Sequence, residues 1–387
     1  MSPDNRAQTV GVDYGAEEAA MQAYLREGER RAYALGNRGP IRFTADGKIH
    51  PDILEAYWRT GFYVFEGVLG KEELAEIEAD FKNLLARLPS EKDSAVDAKG
   101  RPALTVDNKA QTLFWSKPLG DPFGGTELAN GRHPVKMFEP KAKADAPKEI
   151  VYLILGSLQF METQLRVYGH PGLLAVAAAV NGPDFTPFNE ALFIKEPGLG
   201  ASVAWHQDGI THWHSPDWDQ GSHGFNFMAQ LYGCTAANGV WVVPGSHKVR
   251  GKCDIKAMVA AAGSERLPDA VPMVCQPGDV VINNRQVVHG SFANTSKDWR
   301  VTLNFGFHRH RSVLGFEAGG IHNARSVYDA ARIAERAKLI GYGIDARRQR
   351  FPNETPYNYM PHAGETYRWD DAAKASIKDY NLLDLSI

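Results

Sequence analysis

This chain predicts a mainly β protein with added helices, and three stretches predict it. Arg300-Val301-Thr302-Leu303-Asn304-Phe305 alternates polar and apolar residues, the pattern of a half-buried strand. The apolar runs Val280-Val281-Ile282 and Val287-Val288 read as buried strand, and Phe225 to Cys234 reads as another. Leu74, Ile77, Phe81, Leu84, Leu85 and Leu88 recur at spacings of three and four, which makes an amphipathic helix with a core-facing stripe.

In chain order, residues 1 to about 45 read as an N-terminal arm, helical around Glu17 to Leu35. A short strand, Phe62 to Phe65, precedes the amphipathic helix, and Pro89 falls where that helix should end. From about 90 to 149 the chain turns irregular, with Phe114-Trp115 and Phe123 embedded. Structureless segments of that length are usually functional or disordered, and a substrate-covering lid and a plain surface excursion fit equally. A second helical block is expected over about 150 to 181, then core strands from about 190 to 310. On the strand Phe225 to Cys234, Asn226 and Gln230 fall on the face opposite Phe225 and Phe227; a pocket wall and a solvated face would look the same. Ser326-Val327-Tyr328-Asp329 has the form of a capped helix start, with the helix running to about Ile340 and Arg347, Arg348 and Arg350 beyond it as solvated charges.

The chemistry concentrates in Trp205-His206-Gln207-Asp208, Val288-His289-Gly290-Ser291 and Arg300. Alternate residues of a strand share a face, so an extended segment projects His206 and Asp208 together. A second imidazole from a facing strand, best supplied by His289, completes a two-His-one-carboxylate triad with an open face, as non-haem iron oxygenases require. Arg300 and Thr302 share a face, and a guanidinium fork with a hydroxyl beside it suits the far carboxylate of a metal-chelated keto acid. The loop Thr211 to His223 follows the metal pair and offers Trp213 and His214 for stacking or hydrogen bonds to a substrate. His212 and His214 form a rival pair without a matching third ligand. His247, His308 and His310 read as structural.

These segments resemble the phytanoyl-CoA dioxygenase family of Fe(II)/2-oxoglutarate oxygenases. The resemblance rests on Trp205-His206-Gln207-Asp208, on Asn238-Gly239 through Pro244-Gly245-Ser246-His247-Lys248, on Gln276-Pro277-Gly278-Asp279, and on His289-Gly290-Ser291 with Arg300. Tyr57 to Leu69 with Lys71-Glu72-Glu73-Leu74, and His170 to Gly182, extend it over about 50 to 315. It implies a double-stranded β-helix (jelly-roll, cupin-like) core with flanking N- and C-terminal helices, in one domain over 1–387: arm to 45, core 46–315 with the 90–149 insertion, C-terminal extension 316–387. It implies His206, Asp208 and His289 as iron ligands, Arg300 on the C5 carboxylate of 2-oxoglutarate and Ser291 assisting there, with O2 as oxidant and ascorbate a compatible reductant. The presence of Asp208 argues for hydroxylation or a related oxidation of a small metabolite rather than halogenation. Met228 stands where many members carry Trp, so the pocket wall differs there. A non-catalytic jelly-roll binding protein and a metal-dependent hydrolase are the alternatives.

Bulk properties fit. A net charge of −3 and a pI near 6.5 give no electrostatic case for nucleic acid. No apolar stretch approaches the roughly 18 residues that span a membrane, and the first 40 residues carry no apolar signal-peptide region. Cys234, Cys253 and Cys275 are odd in number and widely spaced, so free thiols in a reducing cytoplasm are expected. Oligomeric state is not legible.

Overall fold

The period-two pattern closes into two antiparallel-rich sheets with a cavity between them. The computed structural model describes residues 11–320 and 324–387; the first ten residues of the N-terminal arm lie outside the described residues. The strands are β1 (Arg38–Gly39), β2 (Phe62–Phe65), β3 (Leu113–Ser116), β4 (Ile150–Leu155), β5 (Thr186–Lys195), β6 (Val203–His206) and β7 (Phe225–Gln230). They continue with β8 (Trp241–Val242), β9 (Val271–Pro272), β10 (Val280–Asn284), β11 (His289–Ser291), β12 (Arg300–His308), β13 (Glu317–Ala318) and β14 (Ser326–Val327). The large sheet runs β1-β2-β10-β7-β12-β5-β4-β3, the small one β6-β11-β8-β9, and β13 and β14 form a separate ribbon.

The large sheet turns its apolar face outward, under helices. Phe225, Phe227, Ile282, Leu192, Leu303 and Phe305 belong to one buried cluster with Ile53, Ile77, Leu165 and Leu174. Those four lie on helices α2 (Pro51–Thr60), α3 (Lys71–Leu85), α4 (Glu162–Tyr168) and α5 (Pro171–Asn181). The alternate residues, including Asn226, Gln230, Arg300 and Thr302, therefore face inward, toward the small sheet. Pro51 opens α2 at a position where its missing N–H costs nothing, and Gly61 closes it at φ 89°. A Cβ on Gly61 would sit 2.7 Å from His247 Nδ1, so glycine is required there on both counts. That contact gives His247 a structural place under α2.

Six expectations need correction. Residues 150–155 form strand β4, paired with β3 and β5, and helix begins only at Glu162. A six-residue run rich in β-branched and aromatic side chains satisfies a buried strand better than a helix. The 90–149 excursion is not wholly irregular, because Leu113–Ser116 adds the sheet's last strand. The strand from Phe225 stops at Gln230; Gly233 turns the chain at φ 79°, and Cys234 makes only an isolated bridge to Cys275.

At the C-terminal end, Ser326-Val327 is strand, and Asp329 caps the long helix by accepting from the Arg332 N–H. That helix, Ala330–Arg350, passes Ile340 by almost three turns, so the three arginines lie inside it. Counting α6 (Ile255–Ala262) and α7 (His310–Val313), it is α8. Its arginines are tied rather than solvated. Arg347 bridges Glu73 at 2.8 Å and Glu354 at 2.6 Å, Arg350 pairs with Glu72 and Glu76 of α3, and Arg348 with Asp345. In the middle of α8, Arg336 meets Glu190 of β5 at 2.5 Å with both side chains fully buried. No described helix is long and apolar enough to cross a membrane.

Candidate metal centre

Strand pairing builds the site. In the small sheet His206 at the end of β6 stands directly opposite His289 at the start of β11. Asp208 follows two residues on, its backbone N–H bound to the Arg285 carbonyl at 2.8 Å. Gly209 turns the chain next, at φ 96°, where a Cβ would lie 2.2 Å from His223. Asp208 Oδ1 is then 3.6 Å from His206 Nε2 and Oδ2 is 3.9 Å from His289 Nε2. The three residues offer ligand atoms that all lie within 4.8 Å of one another, and all three are buried.

The donor set fits a divalent metal. His206 Nδ1 lies 2.8 Å from the Ala204 carbonyl and His289 Nδ1 3.0 Å from that of Val287. A carbonyl only accepts, so each Nδ1 carries the proton and each Nε2 presents its lone pair to the centre, as ligating histidines usually do. Burial pushes both imidazoles below their ordinary pKa, and so keeps them neutral. Burial would raise Asp208, but the guanidinium groups of Arg132 and Arg285 overcome it and hold the carboxyl well below the usual range. Asn226 donates to Asp208 Oδ2 at 3.2 Å. Losing such an outer partner typically costs about 10–100-fold in metal affinity. Asn226→Ala is therefore expected to weaken metal binding within that range in a competitive chelator titration, with the thermal unfolding profile retained.

Arg300 reaches the cavity from β12. Its Nε donates to Thr302 Oγ1 at 2.9 Å, and Thr302 donates to Gln230 Oε1 at 2.8 Å. Among the described residues no carboxylate forms an ion pair with the Arg300 guanidinium, and Lys195 lies opposite Arg300 on β5. A buried guanidinium without an acid is a ready seat for an anionic ligand. Thr302 and Gln230 do not line the cavity; they hold Arg300 in orientation. Ser291 does line it, and its hydroxyl accepts from Lys195 Nζ at 2.8 Å.

The cavity holds about 150 Å³ and lies between the sheets, with Met228, Phe193 and Leu155 among its apolar walls. Asn226 lines it as the alternation suggested, beside Asn283, whose amide oxygen and nitrogen find no protein partner. Trp213 and His214 do not line it. The Trp213 indole N–H is turned back onto the Gly209 carbonyl at 3.1 Å, and His214 is exposed. His212 packs on Phe316 at 3.8 Å between centroids, and so belongs to a surface stack.

Three contributors carry no local sequence signal. Lys195 is buried opposite Arg300 on the neighbouring strand, and burial, reinforced by Arg300, pulls its amine well below the ordinary pKa. From the 90–149 excursion, His133 stacks on the His206 ring at 4.1 Å and on Phe123 at 5.1 Å. Burial, then the Arg132 charge, lowers its pKa to about 3, so it packs as a neutral ring. Arg132 itself brings NH1 to 3.5 Å from Asp208 Oδ1. Phe123 hints at this through its lone aromatic among polar residues; Arg132 and His133 have no such marker.

Comparison with known proteins agrees with this geometry. A family model described as Phytanoyl-CoA dioxygenase (PhyH) matches residues 57–302, more than half of the chain. "Phytanoyl-CoA dioxygenase 1" of Oryza sativa subsp. japonica is 30% identical over 118 residues, 28% of this chain and 40% of that protein, so the chain spans less than half of that relative. Among solved structures, AviO1 from Streptomyces viridochromogenes Tue57 is 22% identical, covering 67% of this chain and 94% of that one at a TM-score of 0.43. EctD from S. alaskensis, solved with 2-oxoglutarate and 5-hydroxyectoine, is 18% identical, covering 71% and 81% at a TM-score of 0.48. The chain belongs to the phytanoyl-CoA dioxygenase family, whose members use Fe(II), 2-oxoglutarate and O2.

Proposed function

We propose that this protein is an Fe(II)- and 2-oxoglutarate-dependent dioxygenase, acting as one domain over 1–387, that hydroxylates an unactivated C–H bond of a small organic molecule. The observation that carries the reading is the pairing of a buried His206–Asp208–His289 cluster with an acid-free guanidinium, Arg300, in one cavity. A vestigial binding module would have no reason to keep both, and a metal-dependent hydrolase would need no keto-acid anchor.

When bound, the iron and 2-oxoglutarate supply the oxidising power: oxidative decarboxylation to succinate and carbon dioxide, coupled to oxidation of the substrate C–H bond. The protein's part is binding, orientation and exclusion of water. His206 and His289 present Nε2, and Asp208 presents a carboxylate that Asn226, Arg132 and Arg285 hold ionised. Arg300, steadied by Thr302 and Gln230, takes the distal carboxylate of the keto acid, and the Ser291 hydroxyl, which accepts from Lys195, keeps its own proton to donate there. The neutral His133 ring covers His206 and closes that side to water. The free thiols Cys234, Cys253 and Cys275 support a reducing, cytoplasmic setting.

The test is succinate release from 2-oxoglutarate across a panel of small organic molecules, with Fe(II) added and O2 present. Stimulation by at least one compound, with a matching hydroxylated product, supports the reading; hydrolysis of a panel member without succinate contradicts it. Arg300→Ala should raise the 2-oxoglutarate concentration for half-maximal rate by roughly 10–100-fold, the equivalent of the about 1.5–3 kcal/mol of a hydrogen bond to a charged group. Full activity at wild-type 2-oxoglutarate levels would favour a hydrolase.

A further inference from the structure

Arg132 helps to hold Asp208 ionised, and its surroundings assign it a second role. It enters from the 90–149 excursion, not from either sheet. Ala129, Asn130 and Gly131, all at positive φ of 52°, 58° and 63°, turn the chain just before it. Two of the three are not glycine, so the turn is strained, and strain of this kind clusters where a side chain must be aimed. The His133 ring, held between Phe123 and His206, pins the other side of Arg132. The guanidinium that results lines the cavity beside Asp208, with its Nε buried and unpartnered.

Position separates Arg132 from Arg300. Both guanidinium groups line the cavity, but Arg300 is 2% exposed whereas the Arg132 side chain is 22% exposed, so Arg132 is the more open to an incoming molecule. Charge separates them as well. Arg132 has one carboxylate within ion-pair distance among the described residues, Asp208 Oδ1. A divalent cation held by the cluster would compete with Arg132 for the Asp208 carboxylate. The other acid in the cavity wall, Asp384, already accepts from Asn189 at 3.1 Å and Ser386 at 2.8 Å. With a divalent cation, the guanidinium groups of Arg132, Arg285 and Arg300, the carboxylates of Asp208 and Asp384, and a dianionic keto acid all counted, the cavity keeps a net positive charge.

We propose that Arg132 is the substrate-recognition residue, and that the substrate carries an anionic group, a carboxylate or one of like charge, which pairs with Arg132 while its apolar portion reaches the metal centre. This rests on the dioxygenase reading above and narrows its substrate to organic anions. The fork geometry of arginine favours such a group over a neutral amide of the same shape.

The full-length protein is loaded anaerobically with Fe(II) and 2-oxoglutarate, and the visible charge-transfer band of the chelate is recorded first. Calorimetry then compares two matched pairs of probes, 3-phenylpropanoate with 3-phenylpropanamide and octanoate with octanamide. The carboxylate of at least one pair should bind at least about tenfold tighter than its amide, the lower bound for a charge-assisted hydrogen bond. Arg132→Met should erase that preference and Arg132→Lys retain part of it, each measured at Fe(II) and 2-oxoglutarate concentrations that give the variant's full charge-transfer band. No carboxylate preference in either pair, or a preference that survives Arg132→Met, overturns the proposal. So does a tenfold loss of 2-oxoglutarate affinity in variants whose iron affinity is unchanged, which would make Arg132 a cosubstrate ligand. Absence of the band in the wild-type protein defeats the dioxygenase reading itself, whereas a normal band with no carboxylate preference defeats this inference alone.

Discussion

Asp208→Ala should lower substrate-dependent succinate release by more than about 100-fold, beyond the upper end of what loss of an outer-shell partner costs. Three facts set that expectation. Asp208 is the only carboxylate in the cluster with His206 and His289. Its two oxygens each face one of the imidazole Nε2 atoms, so no neighbour can take its place. Its removal also leaves the Arg132 and Arg285 guanidinium groups facing the metal seat without a counter-charge, which repels a cation. Bound iron measured after desalting should fall together with turnover. Circular dichroism at ambient temperature should remain that of the folded protein, because Asp208 belongs to none of the apolar clusters, while the melting temperature should fall as the buried Arg285 loses this counter-charge. Asp208→Ala protein that retains stoichiometric iron and turnover would show the cluster is not the metal seat.

Arg336→Met should destabilise the fold by about 3–5 kcal/mol, the cost of leaving a buried charge without its partner. Arg336 and Glu190 are both fully buried, and the guanidinium also donates to the Phe188 carbonyl at 3.0 Å and lies over the Tyr380 ring at 4.8 Å. Burial pushes the Glu190 carboxyl up and the Arg336 charge opposes it, so removing Arg336 leaves the acid with the full penalty of its burial. The urea midpoint should drop accordingly, and the double variant Glu190→Leu/Arg336→Met should recover much of the loss, since a well-packed apolar pair often replaces a buried ion pair at little cost. The consequence reaches the site. Glu190 points outward from β5, while its neighbours Asn189 and Ala191 point inward and line the cavity, so loosening this tie between α8 and β5 should also raise the concentration of substrate needed for turnover.

How much of this was legible beforehand follows from the range of each signal. His206, Asp208, His289 and Arg300 were readable because period-two alternation and ordered motifs act within a few residues, and the pairing of His206 with His289 then followed from the strands. Asn226 was readable for the same reason, though alternation alone could not separate a cavity wall from a wet face. Gln230 and Thr302 fell on the correct face but a layer deeper than expected, since Arg300 bends back to bond Thr302 and leaves neither side chain in the cavity. Arg132 and His133 come from a segment without periodicity, and their partners at the metal seat, Asp208 and His206, lie more than seventy residues away, so only tertiary structure brings them there. Lys195, in Ile194-Lys195-Glu196-Pro197, reads as a surface lysine until register sets it opposite Arg300. Ile150–Leu155 was misread because a short apolar run cannot be divided between buried helix and buried strand by periodicity. Arg347 and Arg350 read as solvated because their carboxylate partners, Glu73, Glu72 and Glu76, sit on a helix far away in sequence.

The central claim is that the cluster and Arg300 together bind iron and 2-oxoglutarate in one cavity. The direct measurement is the visible absorption of the purified protein mixed anaerobically with Fe(II) and 2-oxoglutarate. A weak charge-transfer band that appears only with all three components, is lost in His206→Ala, and needs more 2-oxoglutarate in Arg300→Ala is the predicted result. Well-folded wild-type protein that shows no band, and forms no succinate when air is admitted, would contradict it.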